Sequence, residues 1–83
     1  MHKIVRSPIQ LGTIIRRERH QRSWTQSDLA ALSGLRQELI SKIETGHEGT
    51  KLSAIYAIFA ALDLELVVEQ RNTDQAKDIG DIF

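Results

Sequence analysis

A group of polar residues near the middle of the chain has the chemistry needed to recognise nucleic-acid bases. Arg36 and Gln37 are expected to open a short helix, so their side chains would reach base edges first. Arginine can pair bidentately with guanine, and glutamine can pair in the same way with adenine. Ser41 lies one turn further along, and Lys42 is directed towards the phosphate backbone. The stretch therefore predicts a surface that reads the major groove of DNA.

Two further residues bear on this interpretation: Gln26 supports it, and Glu38 complicates it. Gln26 is expected at the N-terminus of the preceding helix, where its side chain and the free backbone N–H groups suit a phosphate. Glu38 places a carboxylate near DNA phosphates, which is unfavourable unless the group has a partner. Two roles stay open for Glu38: accepting from cytosine N4, or forming an ion pair with Arg36 or Lys42.

The residue types do not support other kinds of site. The three histidines, His2, His20 and His47, are too scattered for a metal site, and the chain has no cysteine. No nucleophile with its base, phosphate-binding glycine loop or pair of carboxylates in a cleft can be assembled from so short a chain. We therefore predict that the protein is not an enzyme and uses no metal or cofactor.

The net charge of zero conceals two halves of opposite sign. Residues 1–51 contain nine lysines and arginines against five acidic residues, and residues 52–83 contain two against six, which gives +4 and −4. This asymmetry suggests a polyanion-facing N-terminal part and a C-terminal part that faces something else. No apolar run suits a signal peptide or a membrane span, so a cytoplasmic, nucleoid-associated protein with no membrane contact is expected.

Capping residues and apolar periodicity predict four helices. Ser7, Thr25 and Thr50 are the expected N-caps, and Gln10 and Asp28 are expected to complete capping boxes at the first two. The predicted helices cover residues 8–22, 26–33, 36 or 37 to 46, and 51–62.

Each predicted helix has one apolar face that should point into a common core. Arg16, Arg17 and Arg19 are expected to lie mostly outside the inward face of the first helix. Trp24 is expected to pack on Leu29 as a core residue rather than to stack on a ligand. The expected inward residues are Leu11, Ile14, Ile15, Leu29, Ala30, Leu32, Ile40, Ile43, Leu52, Ile55, Ile58, Phe59 and Leu62.

The pattern changes after Asp63. In residues 64–69 the apolar side chains of Leu64, Leu66 and Val68 alternate with a second set, Glu65, Val67 and Glu69, and this pattern predicts a half-buried strand. Since one strand cannot form a sheet, it is expected to pair with its copy in a second subunit; a fifth helix is the alternative. The residues assigned to this dimer contact are Leu64, Leu66, Val67 and Val68. We predict one domain over residues 1–71, followed by a flexible acidic tail over residues 72–83.

Residues 26–45 fit one spacing template in which each position has a steric reason. Ala30 stands where two helices cross closely, and Gly34 stands where the turn requires positive φ. Leu29, Leu35, Ile40 and Ile43 supply the aliphatic wedge that holds the helices at their angle. The pattern resembles the helix-turn-helix of the Xre and phage-repressor class, which places its second helix in the major groove.

A longer stretch, from Leu11 to Val68, resembles the HipB-like antitoxins of the Xre class. The resemblance is carried by WTQSDLA at residues 24–30, RQELIS at residues 36–41 and TKLSAIYAIFAALDLELVV at residues 50–68. It implies a homodimer with an intersubunit β-ribbon, an operator of inverted repeats, autorepression, and a HipA-like serine/threonine kinase toxin as partner. Glu38 and Leu39 replace smaller or more polar residues of the family.

By the same resemblance, five residues occupy positions that contact DNA: Gln26, Arg36, Gln37, Glu38 and Ser41. Thr25, Arg16, Lys42 and Lys51 complete the predicted DNA-binding set. The apolar tail residues Ile79, Ile82 and Phe83 are assigned to toxin binding. Two alternatives stay open, a stand-alone repressor without a toxin and a helix-turn-helix module that binds only proteins.

Overall fold

The computed structural model of the protein describes residues 3–71, and this range contains four α-helices. Helix α1 packs against α3, and α2 packs against both α3 and α4. The predicted mainly helical fold is confirmed. No helix in the described range is long and apolar enough to cross a membrane. The helices are α1 (Pro8–Gln21), α2 (Gln26–Ser33), α3 (Gln37–Glu44) and α4 (Leu52–Ala61).

The predicted caps of α1 and α2 form, with one change of partner. Ser7 Oγ accepts from the N–H of Gln10 at 3.1 Å, but the Gln10 side chain accepts from the N–H of Arg6 instead of that of Ser7. At α2 the capping box is complete. Thr25 Oγ1 accepts from the N–H of Asp28 at 3.0 Å, and the Asp28 carboxylate accepts from the N–H of Thr25 at 2.8 Å.

The loop between α3 and α4 differs from the prediction. Thr50 is not the N-cap of α4, because its hydroxyl donates to the His47 carbonyl at 3.3 Å and so closes the loop on itself. Lys51 is the N-cap and makes no side-chain capping bond. Helix α3 ends before Gly46, which adopts a φ of 94°, a left-handed conformation that cannot continue a helix.

The core contains most of the residues that periodicity selected. Leu32 and Leu52 were wrongly predicted as inward, because they are 59% and 61% exposed. Leu52 opens α4 and Leu32 is in the last turn of α2, and apolar spacing does not show whether a neighbour covers a helix end. The buried apolar residues are Ile15, Leu29, Ala30, Ile40, Ile43, Ala54, Ile55, Ile58, Phe59 and Leu62. Leu11, Trp24 and Leu35 are partly buried against them, as expected for a core role of Trp24.

Arg22 fastens the end of α1 to the end of α4. Its guanidinium donates to the Leu62 carbonyl at 2.6 Å, and to the Glu18 carbonyl and carboxylate at 2.7 and 2.9 Å. Lys3 also reaches Glu18, at 3.3 Å. One of the carbonyls that a helix leaves unpaired at its C-terminus is thereby satisfied.

The Glu18 carboxylate should make the fold sensitive to acid. The Arg22 hydrogen bond lowers the pKa of Glu18 below its ordinary value of 4.5; burial opposes this shift and Lys3 adds to it. Because the unfolded chain binds the proton more tightly, the ion pair contributes its full stability above pH 4.5 and loses it as the pH falls through the depressed pKa. Urea unfolding between pH 3 and 6 should therefore show a shallower pH dependence in Glu18→Gln than in the wild type. Glu48→Gln, which replaces the same residue type at an exposed position, is the matched control.

The segment after α4 is neither helix nor strand in the described range. Asp63, just after the end of α4, adopts a φ of 58°, and residues 64–71 are not helical, so the fifth-helix alternative is wrong. Leu64 turns back onto the core of its own chain, and its N–H donates to the Phe59 carbonyl at 2.8 Å. Val67 and Val68 are 64% and 99% exposed. The intersubunit strand stays a prediction, and the toxin-binding residues Ile79, Ile82 and Phe83 lie outside the described residues.

Candidate nucleic-acid interface

Helices α2 and α3 are joined by a three-residue turn whose geometry depends on Gly34. This residue adopts a φ of 76°, and its N–H donates to the Ala30 carbonyl at 2.9 Å. The N–H of Leu35 donates to the same carbonyl at 3.2 Å. A side chain at Gly34 would meet no atom within 4 Å, so the backbone conformation, not space, explains the glycine. The predicted left-handed turn is confirmed.

After this loop, the first two helical turns of α3 lie at the protein surface. Ile40 and Ile43 are buried beneath the helix, whereas Gln37, Glu38 and Lys42 are exposed. Arg36 is the N-cap of α3, and its side chain is exposed as well. Ser41 is half-buried, one turn beyond Gln37 on the same side of the helix. The outward face of α3 therefore carries the residues predicted for base recognition.

A buried ion pair holds α1 against α3. Arg19 Nε donates to Glu44 Oε2 at 2.7 Å, and Arg19 Nη2 donates to Glu44 Oε1 at 3.0 Å. The third guanidinium nitrogen donates to the Trp24 carbonyl at 2.8 Å. The hydrogen bond with Glu44 raises the pKa of Arg19 above its ordinary value, against the effect of burial.

The prediction that Arg19 lies mostly outside the core is wrong, because Arg19 and Glu44 are each only 8% exposed. Both residues extend apolar stripes: Arg19 is four positions after Ile15, and Glu44 is four positions after Ile40. Opposite charges at these two places were the signal that could have identified the pair. In the described range no buried side-chain nitrogen or oxygen lacks a hydrogen-bond partner.

Gln26 belongs to this network. Its Nε2 donates to Glu44 Oε1 at 3.2 Å, so one of its two amide N–H groups is occupied within the protein. The other N–H and the amide oxygen remain for a ligand, because no further hydrogen bond engages the side chain in the described range. The buried ion pair thus fixes a residue at the N-terminus of α2.

Gln37 is tied to α2 by a contact that the sequence did not indicate. Ser27 Oγ donates to Gln37 Oε1 at 3.0 Å, across ten positions of sequence. Glu38, in contrast, forms no ion pair with Arg36 or Lys42 in the described structure, so the local ion-pair role predicted as one alternative is not observed.

Two surface grooves bring together most of the predicted contacts. One, of about 360 Å³, is lined by Thr25, Gln26 and Gln37, together with Trp24 and His20. The other, of about 440 Å³, lies between α3 and the start of α4. Four of the nine predicted DNA contacts line neither groove: Arg36, Glu38 and Ser41, which belong to α3 and its N-cap, and Arg16, which is exposed on α1. The lining residues of the second groove are Leu35, Leu39, Lys42, His47, Gly49, Thr50, Lys51, Ser53 and Ala54.

The described residues contain no group of three or more histidine, cysteine, aspartate or glutamate side chains that could hold a metal ion. The groove that Lys42 and Lys51 line and the exposed face of α3 are the features that offer a binding surface to a polyanion.

Helix α2, the Gly34 turn and the exposed helix α3 define a helix-turn-helix protein. Comparison with known proteins agrees with this class. Residues 15–68 match the family described as Helix-turn-helix, and the chain belongs to the Xre-type members of that family.

Within the family the chain is similar to the HipB antitoxins. It is 36% identical over 62 residues to Antitoxin HipB of Escherichia coli O6:H1 strain CFT073 and of Escherichia coli strain K12. The match covers 75% of this chain and 66% and 70% of the two relatives, so it spans about two thirds of their length. HipB in a solved HipA-HipB-O2-O3 complex has a TM-score of 0.80 with 31% identity, and the match covers 86% of this chain and 100% of that chain.

Proposed function

We propose that the protein is a sequence-specific transcriptional repressor and the antitoxin of a Hip-type toxin–antitoxin pair. It would bind an operator of inverted repeats as a homodimer, repress its own operon, and bind or neutralise a HipA-like serine/threonine kinase. The observation that carries the proposal is the exposed outer face of α3, held on a buried wedge by the Gly34 turn. The similarity to HipB in the HipA-HipB-O2-O3 complex supports the same function.

The geometry suggests how the DNA contacts would be divided. Helix α3 would enter the major groove, with Arg36 and Gln37 at the base edges and Ser41 one turn behind them. Gln26 and Thr25 lie at the N-terminus of α2, where the partial positive charge of the helix favours a phosphate. The remaining proposed contacts are Glu38 at a cytosine N4, and Lys42, Lys51 and Arg16 at the backbone.

Substitutions on α3 test this division. Footprinting on the protein's own promoter should first show symmetric protection, with half-sites about ten base pairs apart. Gln37→Ala should then cost roughly 1 to 3 kcal/mol on the operator and relax base preference at one position of each half-site. Lys42→Ala should weaken binding to operator and random duplex about equally, and reduce the salt dependence by about one phosphate contact.

Equal losses for Gln37→Ala on operator and random DNA would show that Gln37 does not read a base. Binding that does not change between low and high salt would favour the alternative of a module that binds only proteins, because contacts with phosphates release counterions.

The proposed dimer depends on the segment after α4. Val67→Pro removes a backbone donor and fixes φ, so it should weaken an intersubunit strand and the dimer. Operator binding should weaken with it, although the residue is far along the chain from α3. Val67→Ala keeps the N–H and is the matched control. Light scattering measures the mass of each variant; a fully dimeric Val67→Pro protein would remove the strand from the proposal.

The kinase partner is the part of the proposal that separates an antitoxin from a stand-alone repressor. The tail residues Ile79, Ile82 and Phe83 are the proposed toxin contacts. A kinase-like reading frame beside the gene, whose product co-purifies with the full chain, would support the antitoxin function. A specific operator with no such neighbour would leave the stand-alone repressor.

A further inference from the structure

Ser27 lies beside the proposed base-reading face without belonging to it. It is the second residue of α2, its side chain is exposed, and its hydroxyl donates to Gln37 Oε1 at 3.0 Å. No other side-chain hydrogen bond engages Gln37 in the described range. The exposed glutamine is therefore held at one atom by the neighbouring helix.

The residues on both sides of Ser27 are held in place by hydrogen bonds. The capping box of Thr25 and Asp28 closes the first turn of α2 on one side of Ser27. On its other flank along the chain, Gln26 is bonded to Glu44, which the buried Arg19 holds by two hydrogen bonds. The chain on both sides of Ser27 is therefore held by the same network that joins α1, α2 and α3.

The remaining hydrogen-bonding capacity of Gln37 matches one base. A glutamine amide has two N–H donors and an oxygen with two lone pairs, and Ser27 occupies one lone pair. One lone pair and both donors remain, and adenine requires one acceptor for its N6–H and one donor for its N7. An exposed glutamine that is not already held by such a hydrogen bond loses side-chain entropy when an interface orders it.

We propose that Ser27 is a positioning residue for Gln37: it orders the amide before binding, so that base discrimination at the Gln37 contact depends on the Ser27 hydroxyl. This inference rests on the proposed function, in which Gln37 reads a base.

The test compares base discrimination in five proteins: the wild type, Ser27→Ala, Ser27→Thr, Gln37→Ala and the double variant Ser27→Ala/Gln37→Ala. The readout is the ratio of the dissociation constants for the operator and for operators with one substituted base pair. The informative position is the one at which Gln37→Ala relaxes the preference. Ser33→Ala is the matched control, because it removes a hydroxyl of α2 that bonds only to the helix's own Ala30 carbonyl.

Ser27→Ala should reduce discrimination at that position roughly 2- to 10-fold, which is the fold-change expected for one neutral hydrogen bond. Ser27→Thr, which keeps a hydroxyl, should restore most of it, and Ser33→Ala should leave it unchanged. In the Gln37→Ala background, Ser27→Ala should have no further effect. The urea midpoint of Ser27→Ala should not fall, because alanine favours an exposed helix position more than serine.

Unchanged discrimination in Ser27→Ala would overturn the positioning role. An effect of Ser27→Ala that persists without Gln37 would also overturn it, because Ser27 would then act on DNA directly. A Gln37→Ala protein with wild-type base preference overturns the positioning role but leaves specific DNA binding intact. Failure of the proposed function is visible separately, as a wild-type protein that does not prefer its own promoter over random duplex.

Discussion

Replacement of Arg19 by alanine should lower the free energy of unfolding by about 3 to 5 kcal/mol. The Arg19 and Glu44 side chains are 10% and 3% exposed, so the substitution leaves a buried carboxylate with Gln26 as its remaining side-chain partner. It also removes the donor to the Trp24 carbonyl. A domain of this size has a total stability of about 4 to 12 kcal/mol, so the loss should be visible as a large fall in the urea midpoint.

Two further variants make the Arg19 result specific. Arg16→Ala removes an exposed arginine from the same helix and should change the free energy of unfolding by less than about 0.5 kcal/mol. Arg19→Lys keeps the charge but loses the planar fork that bonds both carboxylate oxygens, so it should lie between the wild type and Arg19→Ala. If Arg16→Ala and Arg19→Ala were equally destabilising, the buried ion pair would not be the cause.

Replacement of Gly12 by alanine should destabilise the fold by about 1 to 3 kcal/mol or more, although alanine is intrinsically the better helix former by about 1 kcal/mol. Gly12 is buried where α1 crosses the end of α3. A methyl group there would overlap the Ile43 carbonyl oxygen and lie 2.7 Å from that of Glu44. These are backbone atoms at the C-terminus of a helix, so relief requires the two helices to move apart.

Gly49→Ala is the matched control for Gly12→Ala. An added methyl group at Gly49 would lie 3.3 Å from His47 Nε2, a side-chain atom on an exposed residue that can move away. Thermal unfolding of the two variants should therefore differ by several degrees, with Gly12→Ala the lower. A Gly12→Ala protein as stable as the wild type would show that the contact between α1 and α3 is looser than its geometry indicates.

Both substitutions act on the contact that places α3. Arg19 and Gly12 lie on α1, and neither belongs to the proposed DNA-binding set, yet each contacts the end of α3 at Glu44. A shift of α3 relative to α2 would alter the proposed base contacts and the Ser27–Gln37 hydrogen bond together. Operator binding by folded Arg19→Lys thus measures how strongly the proposed DNA-binding surface depends on the buried contact between α1 and α3.

The sequence by itself determined the features that depend on neighbouring residues. The Thr25–Asp28 capping box, the N-cap at Ser7 and the left-handed turn at Gly34 all follow from groups within a few positions, so their residue types are sufficient to predict them. Apolar periodicity likewise identified the four helices and most of the core. The exposed residues of α3 could be listed for the same reason, because a helix with buried Ile40 and Ile43 must turn its other face outward.

Only the tertiary structure decided which polar groups meet. Arg19 and Glu44 are 25 positions apart, and Ser27 and Gln37 are ten apart, so no local spacing rule joins either pair. Periodicity gives the direction of a side chain on its own helix, but the crossing of two helices decides what stands opposite it. For the same reason Leu32 and Leu52 were misplaced: each lies near the end of a helix, where burial depends on whether another element extends far enough to cover it.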